Sequence, residues 1–172
     1  MAFNHLNIHN FPELKATTTE KGRRYRVGDS FYPSVTTVIG YSKKDAIVKW
    51  RKRVGEEEAN KISTRASIRG NKCHKLCELY LSNESISKYK DDALSMGLFY
   101  QIKPYLDSID NIHALEDPLS SSLLKMAGRV DCIAEYKGEL AIIDFKTSSK
   151  TKREEWIDNY FAQETAYAIM FQ

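Results

Sequence analysis

Apolar and polar positions along the chain follow two periods, and the changes between them divide the sequence. Arg23 to Val27 and Tyr32 to Ile39 alternate as short strands, separated by the turn residues Gly28 and Asp29. From Lys43 to Ile62 the period becomes helical, with Ile47, Val48, Trp50 and Val54 as an apolar stripe between basic residues. After Gly70 a second helix is predicted over His74 to Leu81. A weaker one covers Asp91 to Ser108, where Pro104 should kink or interrupt it. Alternation then returns: Ile112 to Glu116, Gly128 to Tyr136 and Leu140 to Lys146 read as strands. Lys137-Gly138 joins the last two as a tight hairpin, and Ala141-Ile142-Ile143 is the continuous apolar run of a strand buried on both faces. From Glu154 onward Trp156, Tyr160, Gln163, Tyr167 and Met170 line one side of a final helix, which the sequence leaves at Gln172 in mid-pattern, as if incomplete at its C-terminus.

Strands mixed with helices in this order predict an α/β fold with a small mixed central sheet flanked by helices. At 172 residues the length fits one domain. Its expected parts are an N-terminal extension (1–22), a hairpin and helical region (23–108) and a core (109–172). Composition changes this picture little. Hydrophobic residues are 42% and charged residues 28%, ordinary for a soluble globular chain, and no apolar run nears the roughly 20 residues of a membrane span. Met1 to Ala16 lacks the basic and apolar regions of a secretory signal and has no Arg, against a mitochondrial transit peptide, so the cytoplasm is the expected location. Net charge is only +3, yet basic residues cluster at 21–26, 43–53 and 146–153, which suits a polyanionic partner. Three cysteines without a CxxC pair argue against a disulfide framework and against a zinc or iron–sulfur site. Core packing is the plainer reading of Cys73 and Cys77.

The chemistry-bearing stretch is Gly128-Arg129-Val130-Asp131, a hairpin, then Asp144-Phe145-Lys146. Side chains two apart on a strand share a face, so Asp144 and Lys146 project together while Phe145 enters the core. Asp131, on the neighbouring antiparallel strand, can be brought beside Asp144. Two adjacent carboxylates repel unless a cation neutralises them, and hard divalent cations prefer such oxygen ligands. A lysine beside that ion can orient a water and offset charge on a phosphorane-like transition state. The plainer alternative is a strand-end Asp131 and an Asp144–Lys146 ion pair that catalyses nothing. His74 and Glu78 form an i, i+4 pair on one helix face, a candidate polar surface, whereas His5, His9 and His113 read as structural.

Taken in order, Gly70-x-x-x-His74-x-x-x-Glu78, Gly128-x-x-Asp131, Asp144-Phe145-Lys146-Thr147 and Gln163-x-x-x-Tyr167 resemble the motifs of RecB-like nucleases of the PD-(D/E)XK superfamily. More narrowly, Tyr32-Pro33-Ser34-Val35-Thr36-Thr37-Val38-Ile39 followed by Trp50 is similar to the amino-terminal signature of the mitochondrial genome maintenance exonuclease family, which has bacteriophage relatives. The resemblance runs from about Arg23 to Tyr167. It implies a restriction-endonuclease-like core, with the N-terminal hairpin and helical region closing over the active site. Asp131, Asp144 and Lys146 would be catalytic. His74, Asp131, Asp144 and the main-chain carbonyl of Phe145 would bind Mg2+ or Mn2+, with Glu78 in support. DNA, single-stranded by preference, would be met by Ser34, Thr36, Trp50, Arg69, Thr147, Gln163 and Tyr167. Interleaving of Trp50 with Lys49, Arg51, Lys52 and Arg53 suggests stacking of a single strand. Two departures stand out: Ile143 replaces the superfamily's nominal proline, and the strand expected after the last helix is missing.

Two other functions fit the same residues. One is a nuclease module within a helicase or recombination complex, with repair or recombination proteins as partners. The other is a non-catalytic single-stranded DNA-binding protein, against which the clustered carboxylates argue because they repel phosphate. In a phage setting the location would be the host cytoplasm.

Overall fold

The computed structural model describes residues 2–172, so only the first residue of the anticipated N-terminal extension lies outside the described residues. The chain is mixed α and β, and its compact packing divides into two units. One comprises the chain up to Asn10, Ser63–Asp117 and Val130–Ser149; the other comprises Phe11–Ile62, Pro118–Arg129 and Lys150–Gln172.

Its strands form two three-stranded sheets instead of one mixed central sheet. Strands β1 (Ala16–Thr19), β2 (Gly22–Val27) and β3 (Ser30–Pro33) make the first; β4 (Ile109–Ser121), β5 (Met126–Tyr136) and β6 (Glu139–Ile143) make the second. Their connections are two to four residues long, too short for the crossover that parallel neighbours need, so the sheets are antiparallel. Two isolated bridges pair in parallel, His5 with Ile112 and Ser34 with Ala127. The expected hairpin at Lys137-Gly138 is present. Both residues have positive φ (54° and 84°), the backbone of a two-residue turn whose twist matches its strands, and glycine meets the second at no steric cost. That turn fixes the β5–β6 register from Tyr136 opposite Glu139 to Cys132 opposite Ile143.

Several expected elements differ in outline. Tyr32 to Ile39 is not one strand: β3 ends at Pro33 and helix α1 runs over Val35–Gly40. Ser34 decides this locally, because its buried hydroxyl accepts the Thr37 N–H at 3.0 Å as an N-cap and outweighs the strand preference of the β-branched residues that follow. The basic helical region is α2 (Lys44–Val54), which stops at Gly55, and then α3 (Glu56–Leu81), which passes through Gly70 without a break. Beyond α4 (Ala93–Leu106), where Pro104 lies in the last turn, and the β4–β6 sheet, the final helix α5 spans Asp158–Phe171. A single 3-10 turn at Glu154–Trp156 precedes it.

An apolar cluster joins α3, α4, β4 and β5 through Leu76, Cys77, Leu81, Phe99, Leu106, Ile112 and Cys132. All three cysteines are free and buried, and all three pack in it. The N-terminal segment is fastened to the same unit. Phe3 exchanges two hydrogen bonds with the Asn83 side chain, and its ring meets Tyr80 edge-on. Among the described residues no helix is long and apolar enough to cross a membrane.

Candidate metal centre

Four elements of the first unit bring their polar side chains together. Helix α3 contributes His74, β4 contributes Glu116, β5 contributes Asp131, and the segment just past β6 contributes Asp144 and Lys146. Asp144 and Lys146 are thus not strand residues, but the alternation of β6 carries through them. Phe145 points inward with 4% of its surface exposed, while Lys146 pairs with the carboxylate of Asp144. Asp131 is pinned by the Phe145 N–H, which donates to its Oδ2 at 2.8 Å, and by His74, whose Nδ1 stands 3.3 Å from the same oxygen. The His74 ring in turn meets Phe145 edge-on at 6.1 Å. The structure therefore gathers Asp131, Asp144, Lys146, His74 and Phe145 in one place.

The electrostatics follow from this crowding. Hydrogen bonding to Asp131 holds the His74 imidazole above its ordinary pKa against the opposing effect of burial. The Asp144 side chain, only 4% exposed, is pushed up first by burial and then by Asp131, with Lys146 opposing both.

Glu116 is the residue that sequence reasoning missed. A nitrogen of His74 and one carboxylate oxygen each of Glu116 and Asp131 all lie within 4.8 Å of one another, a donor set that fits a divalent cation. Glu116 sits inside β4 with φ of +54°, a left-handed backbone that a non-glycine residue adopts only when its surroundings enforce it. Asp117 is part of that enforcement, its carboxylate accepting the Leu115 N–H at 3.0 Å across the kink. A signal was present in the sequence: Ile112 and Ala114 are the buried face of β4, and Glu116 is next in that alternation. An acid on an inward face is costly without a partner or an ion.

The other expected residues fall in several places. Glu78 is ion-paired with Lys75 and is not among the three clustered ligands. Thr147 borders Gly70, its hydroxyl 3.8 Å from where a Cβ would stand. Arg69 is half-buried, and its Nε is shielded from solvent without a hydrogen-bond partner. Ser34, Thr36, Trp50, Gln163 and Tyr167 belong to the second unit. There Ser34 is a buried helix cap, Thr36 is exposed, Trp50 is half-buried, and Gln163 and Tyr167 are buried on α5. Tyr167 donates its hydroxyl to the Arg129 carbonyl at 2.9 Å and lies against Gly128, the first residue of the Gly128-x-x-Asp131 motif.

No family model matches the chain. Individual proteins do. It is 30% identical over 129 residues to mitochondrial genome maintenance exonuclease 1 of Homo sapiens, covering 70% of this chain and 38% of that protein. The Mus musculus protein of the same name is 30% identical over 128 residues, with the same coverage, and that of Xenopus tropicalis 27% over 137 residues, covering 75% and 40%. The chain is a distant relative of these exonucleases. It spans about two fifths of the length of the relatives it matches. Their shared name points to a nuclease family, and the carboxylate, imidazole and ammonium groups gathered in the first unit are groups that such chemistry uses.

Proposed function

We propose that the chain is a metal-dependent DNA exonuclease that hydrolyses phosphodiester bonds, with single-stranded DNA as its preferred substrate. The observation that carries this is the convergence of His74, Glu116 and Asp131 on a common point, with the Asp144–Lys146 pair beside it. Similarity to exonucleases supports the reaction class.

His74, Glu116 and Asp131 would hold Mg2+ or Mn2+, with Asp144 adding negative charge. When bound, such an ion polarises a phosphate and makes hydroxide accessible near neutral pH. Phe145 keeps Asp131 aimed through its main-chain N–H, and its buried ring holds the His74 imidazole edge-on. Lys146 orients the attacking water and offsets charge on the phosphate oxygens as it builds up. A water oxygen forms the new P–O bond, the bridging P–O bond breaks, and the departing sugar oxygen takes up a proton.

The experiment is incubation of end-labelled single- and double-stranded DNA with the protein in Mg2+, Mn2+ or EDTA. Metal-dependent release of labelled product, faster from the single strand, is expected. Lys146→Ala should lose cleavage by at least about 100-fold, as expected on losing a positioned acid–base or electrostatic group, while DNA retention persists. Cleavage that survives EDTA, or that the variant leaves undiminished, would refute the assignment. Metal-dependent cutting of circular DNA at the same rate as ends would replace exonuclease with endonuclease.

A further inference from the structure

The second unit contains a cavity of about 690 Å3 that the proposed chemistry does not use. Its walls come from α1, the start of α2, the 3-10 turn and α5. Val38, Ile39, Ala46 and Ala162 supply apolar surface, and Trp156 lines it with 51% of its area exposed. Large exposed indoles are unusual on a surface unless something covers them, and this volume lies in the range of small-molecule sites.

Lys43 lines the cavity, and Lys152 and Arg153, just before the 3-10 turn, are held like it against aromatic rings. The Arg153 guanidinium lies 5.3 Å from the Trp156 ring centre, and the Lys152 and Lys43 ammonium groups lie 4.9 and 6.0 Å from that of Tyr160. Lys152 also donates to the Tyr160 hydroxyl and Lys43 to Asn159 Oδ1, neutral partners that leave the charges available to an anion. Glu155 and Asp158 are the carboxylates on the lining, and Arg153 stands 3.6 Å from the first of them. Three cations beside an apolar floor and an open indole match a ligand that is flat and apolar at one end and anionic at the other.

The geometry points to a subsite in which one unpaired nucleobase of single-stranded DNA stacks on Trp156 while its phosphates meet Lys43, Lys152 and Arg153. The inference rests on the proposed DNA reading and names a place where the strand is held. A base in a duplex has both faces covered by its neighbours, so such a subsite would select single strands.

The test uses the intact chain in EDTA, so that nothing is cut. The sequence has two tryptophans, and Trp50→Phe leaves Trp156 as the only indole reporter. Titration with an oligodeoxythymidylate of eight nucleotides should quench its emission, and an abasic oligomer of equal length should not. Trp156→Ala should weaken oligonucleotide binding by about 5- to 100-fold, the range expected for one stacked base, while Trp156→Phe retains most of the affinity. Lys43→Ala should lower the slope of log K against log salt by about 0.7, as for one lost contact to a single strand. Equal quenching by the abasic strand, or unchanged affinity of Trp156→Ala, overturns the subsite. So does a dimer in sedimentation that Trp156→Ala dissolves, which would assign the cavity to a second copy of the chain. The two readings fail separately: base-dependent quenching without metal-dependent cleavage sinks the nuclease and leaves the subsite, and cleavage without quenching does the reverse.

Discussion

Replacing Gly128 with alanine tests how closely Tyr167 of α5 packs on the Gly128–Arg129 stretch of β5. An added Cβ would stand 2.5 Å from the Tyr167 Oη, 2.8 Å from Cε1 and 3.0 Å from Cζ, and Tyr167 is only 3% exposed. The ring cannot swing away cheaply, and moving it breaks the 2.9 Å hydrogen bond to the Arg129 carbonyl. Overpacking of this kind costs about 1–3 kcal/mol, and the lost hydrogen bond to the Arg129 carbonyl about 0.5–1.5 more. Against that, alanine restricts the unfolded chain and returns about 0.4–1 kcal/mol. The net expectation is a loss of about 1–4 kcal/mol, or roughly 2–15 °C in Tm for a chain of this size. Urea denaturation of Gly128→Ala, Tyr167→Phe and the double variant measures it. Tyr167→Phe removes the nearest clashing atom but leaves the 2.8 Å contact, so the double variant should be more stable than the sum of the singles predicts by at least about 0.5 kcal/mol. A Gly128→Ala variant as stable as wild type, or strict additivity in the cycle, would refute the close approach and with it the supporting role of Tyr167.

Glu116→Gln keeps the size of the side chain and removes its charge. It should weaken Mn2+ binding by at least about tenfold in calorimetry, and unaltered affinity would strike Glu116 from the donor set. Asp92, the N-cap of α4, is held down to about 2 by the Lys72 ammonium first and then by Ser95. A folded pKa below the ordinary 3.8 gives a contribution that is complete above about pH 4 and lost as pH falls toward 2. The stability curves of wild type and Asp92→Asn should therefore converge between pH 4 and pH 2, and parallel curves would remove this ion pair from the account of acid stability.

Asp131, Asp144 and Lys146 could be placed together from sequence because two strong local rules determine the answer. Lys137-Gly138 can hardly be anything but a two-residue turn, and that turn sets the register. One step beyond the last pair, Cys132 with Ile143, lie Asp131 and Asp144. Period-two alternation then carries Lys146 to the side of Asp144. Glu116 was not legible in that way, since its placement needs β4 beside β5 and a left-handed residue in mid-strand, neither of which has a local signature. Ser34 misled for the opposite reason: a run of β-branched residues looks like a strand, and a single hydroxyl cap turns it into a helix. Gly70 looked like a helix boundary, but the intrinsic cost of one mid-helix glycine, about 1 kcal/mol, is easily outweighed by the packing of Leu76, Cys77 and Leu81 further along the same helix. The Trp156 cavity depends on α1, which the sequence reading had as a strand.

The carboxylates themselves show whether this centre is built for stability or for an ion. Burial raises the Asp144 pKa and Asp131 raises it further, so the folded chain holds that charge at a cost which Lys146 only partly offsets. A folded pKa above the ordinary 3.8 means that the penalty is present at neutral pH and is relieved as pH falls through the raised value. Asp144→Asn removes the penalty and keeps the shape, while Lys146, 34% exposed, can turn its ammonium toward water. In EDTA at pH 7 that variant should be at least as stable as wild type, and the wild type should gain on it as the solution is acidified toward pH 4, opposite in sign to the Asp92 case. With Mn2+ present the order should reverse, because a cation bound only by the folded protein stabilises it. Should Asp144→Asn instead lose more than about 1 kcal/mol in EDTA, the Asp144–Lys146 pair would be a structural strut, and the acids would need no ion to explain them.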